Sequence, residues 1–137
     1  MNGCHDDDDC VTIKQVYFIV TALDMLSALD TVNKEQIIEF IYAQQIVPKE
    51  GDPEEMAGCY GFRPGPGLSP TLGYTQDSNA WKYDHAHVTM TYTAICTLLT
   101  LGDDLSRVNK QATVSALRHL QQPSGAFVAN LGGNECD

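Results

Sequence analysis

Hydrophobic residues in the first part of the chain recur at three- and four-residue steps, which places them on one face of a helix. This helical spacing begins at Val16, and its apolar face comprises Val16, Ile19, Val20, Leu23 and Leu26. Lys14-Gln15 fits this helix poorly. A break at Asp30-Thr31 then ends the pattern. The sequence therefore predicts a first helix that starts near Val16.

A second helix is predicted after this break. Asn33 is a residue type that caps helix N-termini, and Gln36, three residues on, is placed to return a capping-box bond. Pro48 prevents the helix from continuing far beyond its apolar residues. Its predicted apolar face comprises Ile37, Ile38, Ile41 and Tyr42.

Residues 48–84 are predicted to form one long loop. They hold five of the six prolines of the chain and the glycine-rich stretch Phe62–Gly67. No Gly-Lys-Ser/Thr follows these glycines, so the segment does not match a phosphate-binding loop. A loop of this length is typical of a functional segment or of one that wraps another surface.

Helical spacing returns beyond the loop, in two stretches separated by a turn at Gly102-Asp103-Asp104. We expect the two aspartates to favour the N-terminus of the following helix through its dipole, rather than to act as an acid-base pair. The predicted apolar face of the third helix comprises Met90, Ala94, Leu98 and Leu101, with Ile95 and Leu99 beside it. That of the fourth comprises Val114, Leu117 and Leu120.

The two helical halves align with each other at an offset of 76 residues. The alignment places Val32-Asn33-Lys34 on Val108-Asn109-Lys110, and a Gly-Phe-containing loop follows each copy. The further matched pairs are Leu23 with Leu99, Leu29 with Leu105, Ile41 with Leu117, and Gln45 with Gln121. Helix pairs that repeat in this way stack on neighbours, because one pair cannot bury its own apolar face.

Charge and composition narrow the possible functions. The net charge is −10, and the eight basic residues are scattered, so the chain lacks the basic stripe that nucleic-acid binding requires. The longest apolar run, Val16–Val20, is far shorter than a membrane span. Five cysteines without a signal sequence indicate reduced thiols in a cytoplasmic protein.

The acidic N-terminus, residues 1–12, is predicted to have no fixed structure. Its Cys4-His5, aspartate run and Cys10 lack the paired spacing of a zinc site, so we interpret it as a solvated tail.

Two strings of residues resemble a known family. They are His87–Thr93 (His-Val-Thr-Met-Thr-Tyr-Thr) and Leu101–Lys110 (Leu-Gly-Asp-Asp-Leu-Ser-Arg-Val-Asn-Lys). Together with the repeat, they resemble the β subunits of the protein prenyltransferases, and the second string is most similar to the geranylgeranyltransferase type I branch. The farnesyltransferase β subunit is similar at His87 and Tyr92 but has proline where this chain has Met90. The resemblance covers about residues 16–137 and weakens over 50–82.

The resemblance implies an all-α fold, an α/α barrel (toroid) whose inner and outer helices surround a funnel for the isoprenoid. We expect residues 13–137 to form only the first part of this barrel. Repeat one would cover about 16–62, the long loop 48–84, and repeat two about 87–127.

The resemblance also implies an activity and partners. The enzyme would transfer geranylgeranyl from its diphosphate to the cysteine of a CaaX-terminated protein, together with a prenyltransferase α subunit. A zinc ion in this family holds the acceptor cysteine as the thiolate that attacks carbon. Its Asp, Cys and His ligands belong to later repeats, so we expect a truncated chain that holds no zinc ligand or catalytic residue and is inactive alone.

Candidate substrate-binding residues follow from the same resemblance. His87, Thr89 and Met90 match the segment that faces the acceptor's C-terminus. Tyr17 and Phe18, with Ile19, would line the apolar isoprenoid tunnel. Simpler interpretations remain open, in which His87 begins a helix and Met90 and the aromatic residues belong to the core. Two other functions also remain open: a non-catalytic helical-repeat interaction protein, and a farnesyl- or Rab-type β subunit.

Overall fold

The computed structural model of the chain describes residues 12–52, 54–66 and 85–131. The acidic segment therefore lies outside the described residues except for Thr12, as does the loop from 67 to 84. The described residues form two short antiparallel strands, β1 (Gln45–Ile46) and β2 (Gly61–Phe62). They also form four α-helices: α1 (Ile13–Met25), α2 (Lys34–Tyr42), α3 (Val88–Thr100) and α4 (Lys110–Leu120). This confirms the predicted all-α class.

Helix α1 begins three residues earlier than its hydrophobic pattern predicts. Thr12 is its N-cap: the Thr12 side chain accepts a hydrogen bond from Gln15 N at 3.3 Å, and the Thr12 N–H donates to Gln15 Oε1 at 2.9 Å. This reciprocal pair is a capping box, which satisfies N–H groups that have no partner within the helix. The expectation that Lys14-Gln15 fits the helix poorly was wrong, because it ignored the Thr-x-x-Gln spacing.

The predicted cap of α2 is confirmed, and the asparagine aligned with it caps α4. Asn33 Oδ1 accepts from Gln36 N at 3.0 Å, and Asn109 Oδ1 accepts from Ala112 N at 3.0 Å. The Gln36 side chain does not return the capping-box bond that its position suggested. The two caps lie 76 residues apart, so the offset read from the sequence is also the structural offset at the start of the second helix of each repeat.

Each repeat closes with a backbone bridge between its glutamine and its Gly-Phe loop. Gln45 pairs with Phe62 in the β1–β2 ladder, and Gln121 pairs with Phe127 in an isolated antiparallel bridge. Strand β2 lies within the segment predicted as loop, as does a 3₁₀-helix at Glu54–Gly58. The loop prediction for these residues was wrong, because Gly58 and Gly61 lie within these ordered elements and the prolines flank β2 without entering it.

The core lies where α1 and α3 pack along each other and α2 meets them. Its fully or nearly fully buried residues are Ile13, Ile41, Tyr42, Phe62, Ala94, Leu98 and Val108. Val16, Ile37, Ile38, Phe40, Met90 and Leu105 are partly buried and pack against this set. Both repeats contribute, so neither helix pair has a core of its own.

The predicted apolar faces were only partly right. Ile19, Leu26, Leu99 and Val114 are exposed, by between 50% and 75%. Buried positions on α3 instead include threonines: Thr97 is 1% exposed, and its hydroxyl donates to Thr93 O at 2.7 Å. Because a helical threonine can satisfy its hydroxyl on the preceding turn, it fits a buried helix contact that hydrophobicity alone does not predict.

A polar joint connects α2 to the turn between α3 and α4. The Tyr42 hydroxyl donates to Asp103 Oδ1 at 2.6 Å, and the Arg107 guanidinium lies 4.1 Å from the Tyr42 ring centroid. Arg107 also forms a two-bond ion pair with the Glu39 carboxylate. Desolvation of the tyrosine, followed by its bond to Asp103, raises the pKa of Tyr42 well above its ordinary value.

The two aspartates of this turn have a different role from the predicted one. Asp103 Oδ1 accepts from Leu105 N at 2.7 Å, and Asp104 Oδ1 accepts from Ser106 N at 2.8 Å. Hydrogen bonds from Ser106 lower the pKa of Asp104. Both carboxylates therefore shape the turn itself, and the cap of α4 is Asn109.

Gln45 completes the joint from the end of repeat one. Its side-chain amide donates to Arg107 O at 3.1 Å, and its Oε1 accepts from Asn109 N at 2.8 Å. The string Leu101–Lys110, which carries the most specific family resemblance, thus holds the two repeats together.

Candidate functional site

An aromatic cluster lies on the surface where α1 and α3 run side by side. The ring centroids of Tyr17 and Phe18 are 5.5 Å apart, and those of Tyr17 and Tyr92 are 6.3 Å apart in an edge-on arrangement. Phe18 and Tyr92 are each 59% exposed. A hydrogen bond with Cys96 raises the pKa of the Tyr92 hydroxyl, with a smaller contribution from Tyr17. This surface is aromatic and includes two phenol groups, those of Tyr17 and Tyr92.

The cluster contains two of the predicted substrate-binding residues and two that the sequence analysis missed. Tyr17 and Phe18 were predicted as lining of an apolar tunnel, whereas Tyr92 was named only for the family resemblance and Cys96 was not predicted as a site residue. Their signal was available, because the two lie four residues apart in a predicted helix and must share a face. An exposed aromatic group of this kind can contact an apolar chain.

The other predicted residues, His87, Thr89 and Met90, lie at the N-terminus of α3. His87 is the N-cap, and its Nδ1 accepts from Thr89 N at 3.1 Å, so a neutral ring carries its proton on Nε2. All three side chains are half-buried. Met90 packs against the core. The helix-starting role of His87 is therefore present, and its role towards a substrate stays a prediction.

Backbone hydrogen bonds attach this end of α3 to both neighbouring segments. Ala86 N donates to Cys59 O at 3.0 Å, and His87 N donates to Phe62 O at 3.1 Å. Val88 N donates to Ala129 O at 2.9 Å. Burial, followed by the charge of Asp52, raises the pKa of the Cys59 thiol to about 11, so this cysteine is a protonated structural residue.

A separate pocket of about 290 Å³ lies between α4 and the Glu54–Gly58 helix. Its lining is mixed in polarity and contains none of the predicted substrate-binding residues: it comprises Pro48, Ala57, Tyr60, Asn109, Gln111, Ala112 and Ser115. The structure gives no reason to place the predicted substrates there.

The described residues do not fit a zinc site. Within 12–52, 54–66 and 85–131, no group of three or more His, Cys, Asp or Glu side chains could hold a metal ion. Cys4, His5 and Cys10, which the sequence analysis interprets as part of a solvated tail, lie outside the described residues. We therefore assign no step to a metal. In the same part of the chain, no helix has the length and hydrophobicity to cross a membrane.

Comparison with known proteins places these features in a family. Residues 4–137 match the family described as the prenyltransferase alpha-alpha toroid domain. The chain is 33% identical to the geranylgeranyl transferase type-1 subunit beta of Dictyostelium discoideum over 121 residues, 83% of this chain and 34% of that protein.

A plant protein gives a similar result. The identity to the geranylgeranyl transferase type-1 subunit beta of Arabidopsis thaliana is 28% over 121 residues, 88% of this chain and 32% of that subunit. The chain therefore spans about a third of the length of the curated relatives that it matches. With its repeated helix pairs and a family match over nearly its whole length, the chain belongs to the prenyltransferase α/α toroid family.

Proposed function

We propose that this chain supplies the first two helical repeats of the β subunit of a protein geranylgeranyltransferase type I. Such an enzyme transfers geranylgeranyl from its diphosphate to the C-terminal cysteine of a CaaX-terminated protein. The observation that carries the proposal is the 33% identity to a type-1 beta subunit over 83% of this chain. Because the matched region is a third of that relative, the activity is proposed for the whole subunit.

Two surfaces receive roles in this proposal. Tyr17 and Phe18, with Tyr92 beside them, contribute apolar and aromatic wall to the isoprenoid site, since a prenyl chain gains free energy by leaving water. His87, Thr89 and Met90 select the acceptor's last residues by shape and hydrogen bonding.

The proposal extends to partners, cofactor and compartment. The name "subunit beta" of the relatives supports assembly with a prenyltransferase α subunit. Zinc and a cytoplasmic location remain part of the proposal on the family resemblance, which implies that the zinc ligands belong to later repeats. No chemical step is assigned to residues of this chain, whose proposed contribution is to bind and orient the two substrates.

The test is a transfer assay on the native protein. It would be captured from its source cells with an antibody to residues 103–118 and given geranylgeranyl or farnesyl diphosphate. The acceptors would be peptides ending in Cys-aliphatic-aliphatic-Leu or -Ser, because a terminal leucine specifies geranylgeranylation and serine specifies farnesylation. We expect geranylgeranyl transfer to the leucine peptide at roughly ten times the rate of farnesyl transfer to the serine peptide.

A leucine peptide with its cysteine replaced by serine is the matched control and should accept nothing. Preference for farnesyl diphosphate and the serine peptide would make this a farnesyltransferase β subunit. Capture of a stable α-subunit complex that transfers no prenyl group to either peptide would favour a non-catalytic interaction protein.

A further inference from the structure

The buried side chain of Thr91 joins the first turn of α3 to repeat one, in addition to the backbone bonds of Ala86 and His87. Thr91 Oγ1 accepts a hydrogen bond from Phe62 N at 3.1 Å. The N–H of Thr91 donates to His87 O at 2.9 Å, which closes the first turn of the helix. Thr91 therefore bonds at once to the cap residue of α3 and to strand β2.

The hydrogen bond between Phe62 N and Thr91 Oγ1 is buried, so its loss would be costly. Phe62 is fully buried and Thr91 is 4% exposed, so water cannot replace the bond to the Phe62 amide. A buried N–H that loses its acceptor carries the full cost of its desolvation. Removal of the hydroxyl at position 91 would therefore leave the Phe62 N–H buried without an acceptor.

Packing at Gly61 restricts the same contact to one geometry. A Cβ at Gly61 would lie 2.6 Å from Thr91 Oγ1 and 3.1 Å from Ala86 Cβ, so only glycine allows this approach. Gly61 also has φ +133°, a value that side chains rarely allow. Strand β2 and the first turn of α3 thus fit against each other without free space.

The three residues proposed to face the acceptor lie in or next to this turn. His87 has its N–H on Phe62 O and its Nδ1 on Thr89 N. A change in how α3 meets β2 would therefore move His87 and Thr89 together. Because recognition depends on distances held within a fraction of an ångström, such a shift affects binding before it affects folding.

We infer that Thr91 is a positioning residue for the acceptor peptide: its hydroxyl holds the first turn of α3 against β2 so that His87, Thr89 and Met90 present a fixed surface. This inference rests on the proposed function. Thr91 itself does not touch the acceptor. It acts through the Phe62 amide and the His87 carbonyl, and its loss would loosen the acceptor site without altering the aromatic cluster of Tyr17 and Phe18.

The experiment uses the complete β subunit with its α subunit and three variants. Thr91→Val removes the hydroxyl and keeps the shape, whereas Thr91→Ser keeps the hydroxyl. Thr97→Val is the matched control, since Thr97 is 1% exposed on the same helix but its hydroxyl bonds only within the helix, to Thr93 O. Steady-state kinetics would give separate KM values for peptide and diphosphate, and amide exchange would be followed at Thr89.

We expect Thr91→Val to raise KM for the acceptor peptide roughly tenfold, with KM for the diphosphate changed less than about twofold. Amide exchange at Thr89 should become faster. Thr91→Ser and Thr97→Val should stay close to the wild type in both measurements. A higher acceptor KM in Thr91→Val, together with a near-wild-type acceptor KM in Thr91→Ser and Thr97→Val, supports the inference.

Two results would overturn it: an unchanged acceptor KM in Thr91→Val, or an equal rise in Thr91→Val and Thr97→Val, which would indicate general loosening. A wild-type complex that transfers no prenyl group instead contradicts the proposed function. The exchange data then still decide the structural step, because unchanged exchange at Thr89 in Thr91→Val would show that Thr91 does not hold the turn.

Discussion

The two repeats share one backbone plan but differ in how completely their matched positions are buried. Both begin their second helix with an asparagine cap, and both close with a glutamine–phenylalanine bridge. The turns between helices also match, since Val32 N donates to Leu29 O at 3.4 Å and Val108 N to Leu105 O at 3.2 Å. These local hydrogen bonds form in each copy from the sequence of that copy.

The two repeats differ in how deeply their matched residues are buried. Phe62 and Ile41 of repeat one are fully buried, whereas their counterparts Phe127 and Leu117 of repeat two are half-buried. Helix α3 covers the Gly-Phe strand of repeat one, and the described part of the chain places no further helix pair against the same strand of repeat two. Local structure is thus a property of one repeat, and burial is a property of two stacked repeats.

The largest effect should come from breaking the contact that α3 makes with repeat one. Gly61→Ala would force a Cβ into Thr91 and Ala86 at a positive φ, so we expect it to lower the free energy of unfolding by on the order of 3 kcal/mol. Urea denaturation followed by circular dichroism would measure this.

The matched position in repeat two is the control. The residue before Phe127 is Ala126, which already carries a Cβ and lacks the positive φ of Gly61. Ala126→Gly should change the free energy of unfolding by less than about 1 kcal/mol. Equal losses at the two positions would contradict the idea that only the strand of repeat one is tightly covered.

A smaller effect is expected from the polar joint between the copies. Tyr42→Phe removes the 2.6 Å bond from the tyrosine hydroxyl to Asp103 and leaves the ring in the core. Since the acceptor is a carboxylate, we expect a loss of about 1–2 kcal/mol in the free energy of unfolding. A loss too small to measure in urea denaturation would mean that the bond does not help to join the repeats.

The same variant should change the alkaline stability of the protein. The pKa of Tyr42 is raised above its ordinary value of 10.0 in the folded state, so the folded state keeps a proton that the unfolded state releases. This contribution is complete below pH 10 and is lost as the pH rises above it. The free energy of unfolding, measured from pH 8 to 11.5, should therefore fall less steeply in Tyr42→Phe than in the wild type. The pKa of the Cys59 thiol is raised from 9.0 to about 11, so Cys59 adds the same pH dependence to the free energy of unfolding of both proteins.

The parts of the fold that depend on one repeat could be predicted from the sequence. The Asn33 cap and the 76-residue offset that aligns Asn109 with it are local signals, and the structure confirms both. The resemblance to prenyltransferase β subunits is also confirmed by the family match.

The parts that depend on stacking could not be predicted in the same way. Leu99 and Val114 have helical apolar spacing yet are exposed, because periodicity shows that a face is apolar without showing which neighbour covers it. The buried threonines of α3 were missed for the converse reason. The proposed substrate roles of His87, Thr89, Met90, Tyr17 and Phe18 concern contacts with other molecules and stay predictions.

The smallest expected effect concerns the turns that end α1 and α3, where the copies use different residues for one geometry. Ala28 N donates to Leu23 O and Ser27 N to Asp24 O, a Schellman motif that places Ser27 at φ 54°. In the second copy, Gly102 occupies this position at φ 87°.

Exchanging these residues tests whether the turns are equivalent. Ser27→Gly removes the strain of a left-handed serine but adds backbone entropy to the unfolded state, so we expect a net gain of about 0.5 kcal/mol. Gly102→Ser should lower the free energy of unfolding by a similar amount. No atom lies within 4 Å of a Cβ at that position, so the loss would come from backbone strain alone. Thermal unfolding of the two variants and of the double exchange would measure both signs. If Ser27→Gly destabilised the protein, the left-handed conformation of Ser27 would not be strained. The two turns would then differ in more than their side chains.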